Sequence, residues 1–210
     1  MGEGREANLK LGLYWLIAAA QAGDAQAAFK LGEMHASGDG VKRDPVDALG
    51  WFEFAANHGH AEASFRLGSL YHVGKDVPPD AARALGHYLD ASARGHAAAT
   101  LNAAFMFDKG EGAAENKVRA KSLYVQAAQA GLGQACYNLA ANTGSAKTAQ
   151  ADLVEVLMWL ELAVQAPTFN PQIRELARAN RDSFARVLSP GQVDQARQRA
   201  RDWALQYWQR

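Results

Sequence analysis

Residues 23–59 read GDAQAAFKLGEMHASGDGVKRDPVDALGWFEFAANHG, and residues 59–95 follow the same plan as GHAEASFRLGSLYHVGKDVPPDAARALGHYLDASARG. The glycines that frame these stretches, Gly23, Gly59, Gly95 and Gly131, stand 36 residues apart. The same step links Trp15, Trp51, His87, Leu123 and Trp159. It also links Ala27, Ala63, Ala99 and Ala135, and then Leu31, Leu67, Ala103 and Leu139. Constant spacing at this many columns is the signature of a tandem repeat, in which one supersecondary unit recurs because it cannot bury its apolar face alone.

Each unit reads as two helices. The first follows the framing glycine, as from Asp24 to Ser37, with Ala27, Ala28, Leu31 and Met34 at helical spacing. It stops at a glycine-bearing loop: Gly38-Asp39-Gly40, then Gly74, then Gly110-Glu111-Gly112. A glycine after the last turn can take the left-handed conformation that closes a helix. Asp44, Asp80, Asn116 and Asp152 are the expected N-caps of the second helices, because a short polar side chain accepts from the free N–H groups of the first turn. Pro45 after Asp44 suits the first helical position.

The mid-helix column Gly32, Gly68, Ala104 and Ala140 needs a reason, since glycine there costs roughly 1 kcal/mol against alanine. A recurring cost implies a geometric need, a partner helix too close for a larger side chain. The aromatic residues Trp51, Phe52, Tyr88, Tyr124 and Trp159 are expected to be core.

Composition agrees. Of 210 residues 44 are alanine, 49% are hydrophobic and β-branched residues are scarce, which points to an all-α chain with closely approaching backbones. Twenty-two basic residues balance 22 acidic ones, so there is no basic surplus of the kind that releases counterions from nucleic acid. A single cysteine, Cys136, excludes an intramolecular disulfide framework and a cysteine zinc site. It aligns with Ala28, Ser64 and Thr100 and is expected to be buried packing. The longest apolar stretch, Leu11 to Ala20, is too short to span a bilayer. It imitates a secretory leader, with Arg5 and Lys10 before it, but it lies in register with the repeat. The expectation is an uncleaved, cytoplasmic chain, the periplasm being the alternative if an upstream signal was removed.

From Ala27 through Leu31-Gly32, Gly38-x-Gly40-Val41, Asp44, Ala48, Trp51-Phe52, Ala55-Ala56 and Gly59, the pattern resembles the Sel-one-like repeat (SLR), a relative of the tetratricopeptide repeat. The second unit matches with Leu67-Gly68, Tyr71, Gly74, Asp80 and Ala84, and the third with Gly110, Gly112, Ala120, Tyr124, Ala127-Ala128 and Gly131. The third has Ala103-Ala104 in place of Leu-Gly; the fourth has Ala146 and Thr148 where the loop glycines would stand, which predicts an irregular turn. The resemblance implies an αα-hairpin solenoid coiling as a right-handed superhelix, and members that serve as adaptors.

The organisation expected is a repeat solenoid over 1–167: an N-terminal helix at 8–22, with no first helix before it, and units at 23–58, 59–94, 95–130 and 131–166. Pro167 and Pro171 end the periodicity, and two capping helices follow within 168–210. The second starts at Ser189-Pro190-Gly191-Gln192, a capping-box pattern, and carries an apolar stripe of Val193, Ala196, Ala200, Trp203, Ala204 and Tyr207. Terminal units must cover an open apolar face. From Gln172 onward there are eight arginines against four acidic residues, and Trp208 is expected to stay exposed.

The chain carries no phosphate loop, dinucleotide fingerprint or nucleophile elbow, and the loop glycines recur with the repeat and are not phosphate cradles. Carboxylates such as Asp39 and Asp44 are expected to cap helices. Histidines supply the one alternative chemistry. His60 and His96 are equivalent one unit apart, and His58 is nearby, but neighbouring units lie roughly 10 Å apart and the His-x-x-x-His zinc spacing is absent. Exposed histidines at helix starts are expected, with no metal and no cofactor.

Comparing units within the chain isolates columns free to vary: Lys30, Arg66, Asn102 and Asn138; Glu33, Ser69, Phe105 and Ala141; Ser37, Val73, Lys109 and Ser145. Offsets of three and seven put them on one face of the first helix, the helix that lines the concave surface in related solenoids. The expected protein-binding residues are Lys30, Glu33, Arg66, Ser69, Asn102, Phe105, Lys109 and Asn138. Lys30 and Arg66 would form a basic end, asparagines would bond an extended backbone, and Phe105 would be an apolar anchor. The function expected is a non-enzymatic scaffold of bacterial style binding a protein or peptide in its groove, with no nucleic acid and no membrane span. The alternatives are an inhibitor or immunity-type protein that sequesters one partner, and a metal protein or enzyme using His58, His60 and His96.

Overall fold

The computed structural model describes residues 3–144 and 150–208, with side chains for 10–144 and 153–208. Its helices are α1 Glu3–Gln21, α2 Ala25–Ser37, α3 Pro45–Asn57, α4 Ala61–Val73, α5 Ala81–Ala93, α6 Ala97–Lys109, α7 Lys117–Gln129, α8 Gly133–Gly144, α9 Gln150–Gln165, α10 Pro171–Val187 and α11 Pro190–Tyr207. Among the described residues the only β-pairing is an isolated bridge between Leu132 and Thr168. The chain is all-α, an αα-hairpin solenoid.

Contacts divide it into two compact units. One takes the chain up to Ala99 together with Glu111–Ala113; the other takes Thr100–Gly110 and the chain from Ala114 onward. In the first unit each helix from α1 to α5 packs on its neighbour in sequence. In the second, α7 packs on α8 and α8 on α9, while α10 and α11 both pack against α9.

Capping chemistry sets the helix ends. Asp44 accepts from Val46 and Asp47, and these N–H groups hold its carboxyl below the usual carboxylate range. Asp80 and Asn116 cap α5 and α7 in the same way. Gly38, Gly74 and Gly110 close first helices with φ of 84°, 70° and 71°. The loops then repeat one closure: the N–H groups of Asp44, Asp80 and Asn116 donate to the carbonyls of His35, Tyr71 and Phe107, each at 2.9 Å. The fourth unit departs from this. Helix α9 opens at Gln150, so Asp152 lies within the helix and is not its N-cap. Ser145, Ala146 and Thr148 lie outside the described residues.

The glycine column has the steric reason its recurrence implies. A Cβ on Gly32 would lie 2.6 Å from the Phe52 ring, and one on Gly68 2.6 Å from the Tyr88 ring. An aromatic ring of the second helix presses directly against the backbone of the first. Phe52, Tyr88, Tyr124 and Trp159 are buried as expected. Trp51 is only half-buried, and Trp15, in the same column, is 63% exposed on α1 beside exposed Leu11 and Tyr14. Helix α1 packs chiefly on α2, with Leu13, Leu16 and Ile17 against the core.

In the second unit, Ser189 and Gln192 form the full capping box of α11. Trp208 is not left free: its indole Nε1 donates to the Ala128 carbonyl at 2.9 Å, and Trp203 stacks edge-on with Trp159 and Trp208. Cys136 is buried, and burial pushes its thiol pKa up to about 12, so it is packing and not a nucleophile.

Candidate functional site

Four of the eight expected protein-binding residues, with Ser37 and Val73 of the same varying columns, meet around one cavity in the first unit. Lys30 and Glu33 come from α2, Arg66 and Ser69 from α4, and the cavity measures about 560 Å³. Its apolar surface comes from Met34, Phe52, Leu70 and Val73, the last 73% exposed. At the loop end, Arg43 donates to Asp76 at 2.7 Å and to the Ala36 carbonyl at 3.1 Å, tying successive interhelical loops together. Asp39 lines this cavity and does not cap a helix; its N–H donates to Ser37 Oγ at 3.2 Å.

The cations here are partly spoken for. Lys30 lies 3.5 Å from Glu33 and Arg66 3.1 Å from Glu62, each pair on one helix and largely exposed. Such pairs contribute only a few tenths of a kcal/mol, about 0.3–0.5, and open readily to a competing carboxylate. The basic end is therefore a pair of exchangeable ion pairs. Apolar Met34 and Leu70 were not singled out in the sequence because helical periodicity assigns them to the core; their half-exposure follows from the gap between α2 and α4.

The remaining four lie in the second unit. Phe105 is 38% exposed, with the Lys109 ammonium 5.8 Å from its ring centroid. Asn138 accepts from Gln134 at 2.9 Å and bonds the Tyr124 hydroxyl. Asn102 is half-buried on α6. Next to them Asp108 is a hub: Lys117 Nζ donates to its carbonyl at 2.7 Å and its carboxylate at 3.0 Å, and Asn142 donates to it at 2.7 Å.

The histidines are neither idle nor gathered. His60 is the N-cap of α4: its Nδ1 accepts from the Ala63 N–H at 3.2 Å, its Nε2 meets Gln26 Oε1 at 2.9 Å, and its ring stacks on Phe29. His96 repeats the device, accepting from Ala99 at 3.1 Å, meeting Glu62 at 2.9 Å and stacking on Phe65. An Nδ1 that accepts a backbone N–H leaves Nε2 as the ring nitrogen that donates outward. His58 ends α3 and bonds the Phe54 carbonyl at 2.9 Å. His60 and His96 do stand at helix starts, but the expectation that they are exposed is corrected, because their contacts and stacking draw them against the preceding hairpin. The spacing of 34 residues in Gln26–His60 and Glu62–His96 is the signal that could have revealed it. Among the described residues no group of three or more His, Cys, Asp or Glu is placed to hold a metal ion, and no helix is long and apolar enough to cross a membrane.

A family model described as Sel1 repeat matches residues 1–24, 25–60, 61–96, 97–132 and 133–166. Among solved structures, a Sel1 repeat protein from Oxalobacter formigenes is 31% identical, over 61% of this chain and 96% of that one, with a TM-score of 0.58. A protective antigen of uropathogenic Escherichia coli with an SLR fold is similar at 19% identity and a TM-score of 0.56, over 93% of this chain and 48% of that one. A comparison with curated proteins gives no match.

Proposed function

The chain belongs to the Sel1 repeat family, whose members generally mediate protein–protein interaction and which indicates no catalytic activity, and from that premise we propose that it is a non-enzymatic scaffold holding an extended peptide segment of a protein partner. The observation that carries this reading is the cavity between α2 and α4, where Lys30, Glu33, Arg66 and Ser69 surround Met34, Phe52, Leu70 and Val73. An apolar floor within a ring of exchangeable charges suits an anchor side chain flanked by polar residues. Phe105 under Lys109 offers a second anchor of similar kind.

The test is selection of peptides from a displayed random library on the full chain. Selected peptides are expected to share a bulky apolar residue, and Arg66→Ala with Val73→Glu is expected to weaken them about tenfold or more. Phe105→Ala tests the second anchor. Affinity unchanged by all three, with helicity intact, rejects this surface.

A further inference from the structure

A second cavity in the first unit, about 420 Å³, opens between α3 and α5 over α4, and its lining is polar. The volume falls within the roughly 300–1,000 Å³ usual for small-molecule sites. Comparison with the next repeat shows how unusual that lining is for this seam. One step of 36 residues on, Glu53, Asn57 and His87 correspond to Leu89, Ala93 and Leu123, while Tyr71 and Arg94 correspond to Phe107 and Ala130. Polar side chains thus replace apolar ones around this cavity, with Glu53, Asn57, Arg83 and Arg94 exposed at its rim, His87 half-buried and Tyr71 buried.

Not all of these groups are open to a ligand. Asp90 is satisfied by Arg94, at 3.0 and 3.2 Å, and by the Ser64 hydroxyl at 2.5 Å. Although burial works against it, these donors hold the Asp90 carboxyl below the usual range. Arg83 donates to the Tyr71 hydroxyl at 3.0 Å and lies over its ring, with Asp80 as a distant ion partner at 3.9 Å. In the second unit Arg119 covers Phe107 in the same manner, so the stacking belongs to the repeat, whereas the open N–H groups facing a polar cavity belong to this site. Among the described residues Glu53 makes no ion pair and no side-chain hydrogen bond, whereas the corresponding Glu161 is held by Arg181 and Arg197. His87, in the same lining, stacks parallel to Tyr71 at 5.6 Å. Burial keeps His87 below its ordinary pKa, outweighing Glu53 and Asp90, with Arg83 acting in the same sense as burial.

What remains is one uncommitted carboxylate, one guanidinium with N–H groups to spare, and a neutral imidazole. An anion alone meets Glu53, and a cation alone meets Arg83. We propose that this cavity binds an amino-acid-sized zwitterion, its carboxylate taken by Arg83, its ammonium by Glu53, and its body lying against His87. The site is separate from the α2–α4 surface and does not depend on the scaffold reading.

The experiment titrates the full chain with single L-amino acids at millimolar concentration while following the imidazole NMR signals of His87 and of His58 as control. At least one is expected to move His87 selectively. Its N-acetyl and methyl-ester derivatives, each lacking one charge, are expected to bind about tenfold more weakly, as is the parent ligand to Glu53→Gln or Arg83→Met. Both substituted side chains are exposed, so the fold is expected to persist, and the derivatives test the pairing on the unaltered protein. No selective movement of His87 by any amino acid, or derivatives that bind as well as the parent, overturns the proposal.

Discussion

One pair of glycines separates local preference from packing. Gly86 lies in α5 with nothing within 4 Å of an added Cβ, whereas a Cβ at Gly68 would meet the Tyr88 ring. Gly86→Ala is expected to raise stability by about 0.5–1 kcal/mol through helix propensity. Gly68→Ala gains the same term and loses more to overpacking, for a net loss of about 1–2 kcal/mol. Urea denaturation of both variants decides it, and equal signs would remove the steric account of the column. His60 gives a pH effect. Burial holds the folded imidazole below its ordinary value, outweighing the raising influence of Glu62 and Glu33. As pH falls through ~6.5 the unfolded chain takes up its proton first, so this contribution is complete above that pH and is lost toward the lower folded value. Relative to His60→Asn, which keeps a short acceptor at the N-cap and does not titrate, the parent chain should lose stability on acidification. Parallel pH profiles would show that the ring's protonation state is immaterial.

At the scale of elements, the join between α9 and its two covering helices rests on Glu161, nearly buried, with Arg197 at 3.1 Å and Arg181 at 3.8 Å. Both arginines are partly in water, which weakens each pair taken alone. Removing both strands a carboxylate with little access to solvent, so Arg181→Ala with Arg197→Ala is expected to cost about 2–3 kcal/mol, more than the two single changes combined. Thermal unfolding of the singles and the double measures the excess; strict additivity would count against a shared partner. The helices and their caps were legible in the sequence because Asp44, Gly38 and their counterparts act within a few residues of themselves. Burial was less so: Trp15 and Trp159 share a column, yet one is 63% and the other 4% exposed, since burial depends on what packs from outside the unit. The Trp208 bond and the contacts of His60 with Gln26 and of His96 with Glu62 escaped notice for the same reason, their partners being on other hairpins. The α2–α4 cavity was half legible. Its varying rim showed as sequence differences, but Met34 and Leu70 carry the same apolar mark whether they face a core or a gap.

For the molecule as a whole, stability comes from neighbour-to-neighbour packing within each unit, not from one shared centre. Helices α10 and α11 cover α9, whose Leu157, Leu160 and Leu162 are buried. A chain ending at Ala166 should therefore lose amide protection first in α9 and α8, while α2, α3 and α4 keep theirs. Hydrogen exchange followed by mass spectrometry resolves this, and a uniform drop across all helices would mean one cooperative block.

The lateral hydrogen bonds carry a further consequence. Gln26–His60, Glu62–His96, Asp108–Asn142 and Lys121–Glu155 all join residues 34 apart, two short of the repeat length. The block 59–94, for example, carries an acceptor, Glu62, for the unit after it and a donor, His60, for the unit before. Copying 59–94 in tandem would set the new His60 against the original Glu62 and His96 against the copied Glu62, with no altered side chain. Such a protein can lengthen by inheritance of whole modules, each arriving already equipped to fasten to its twin.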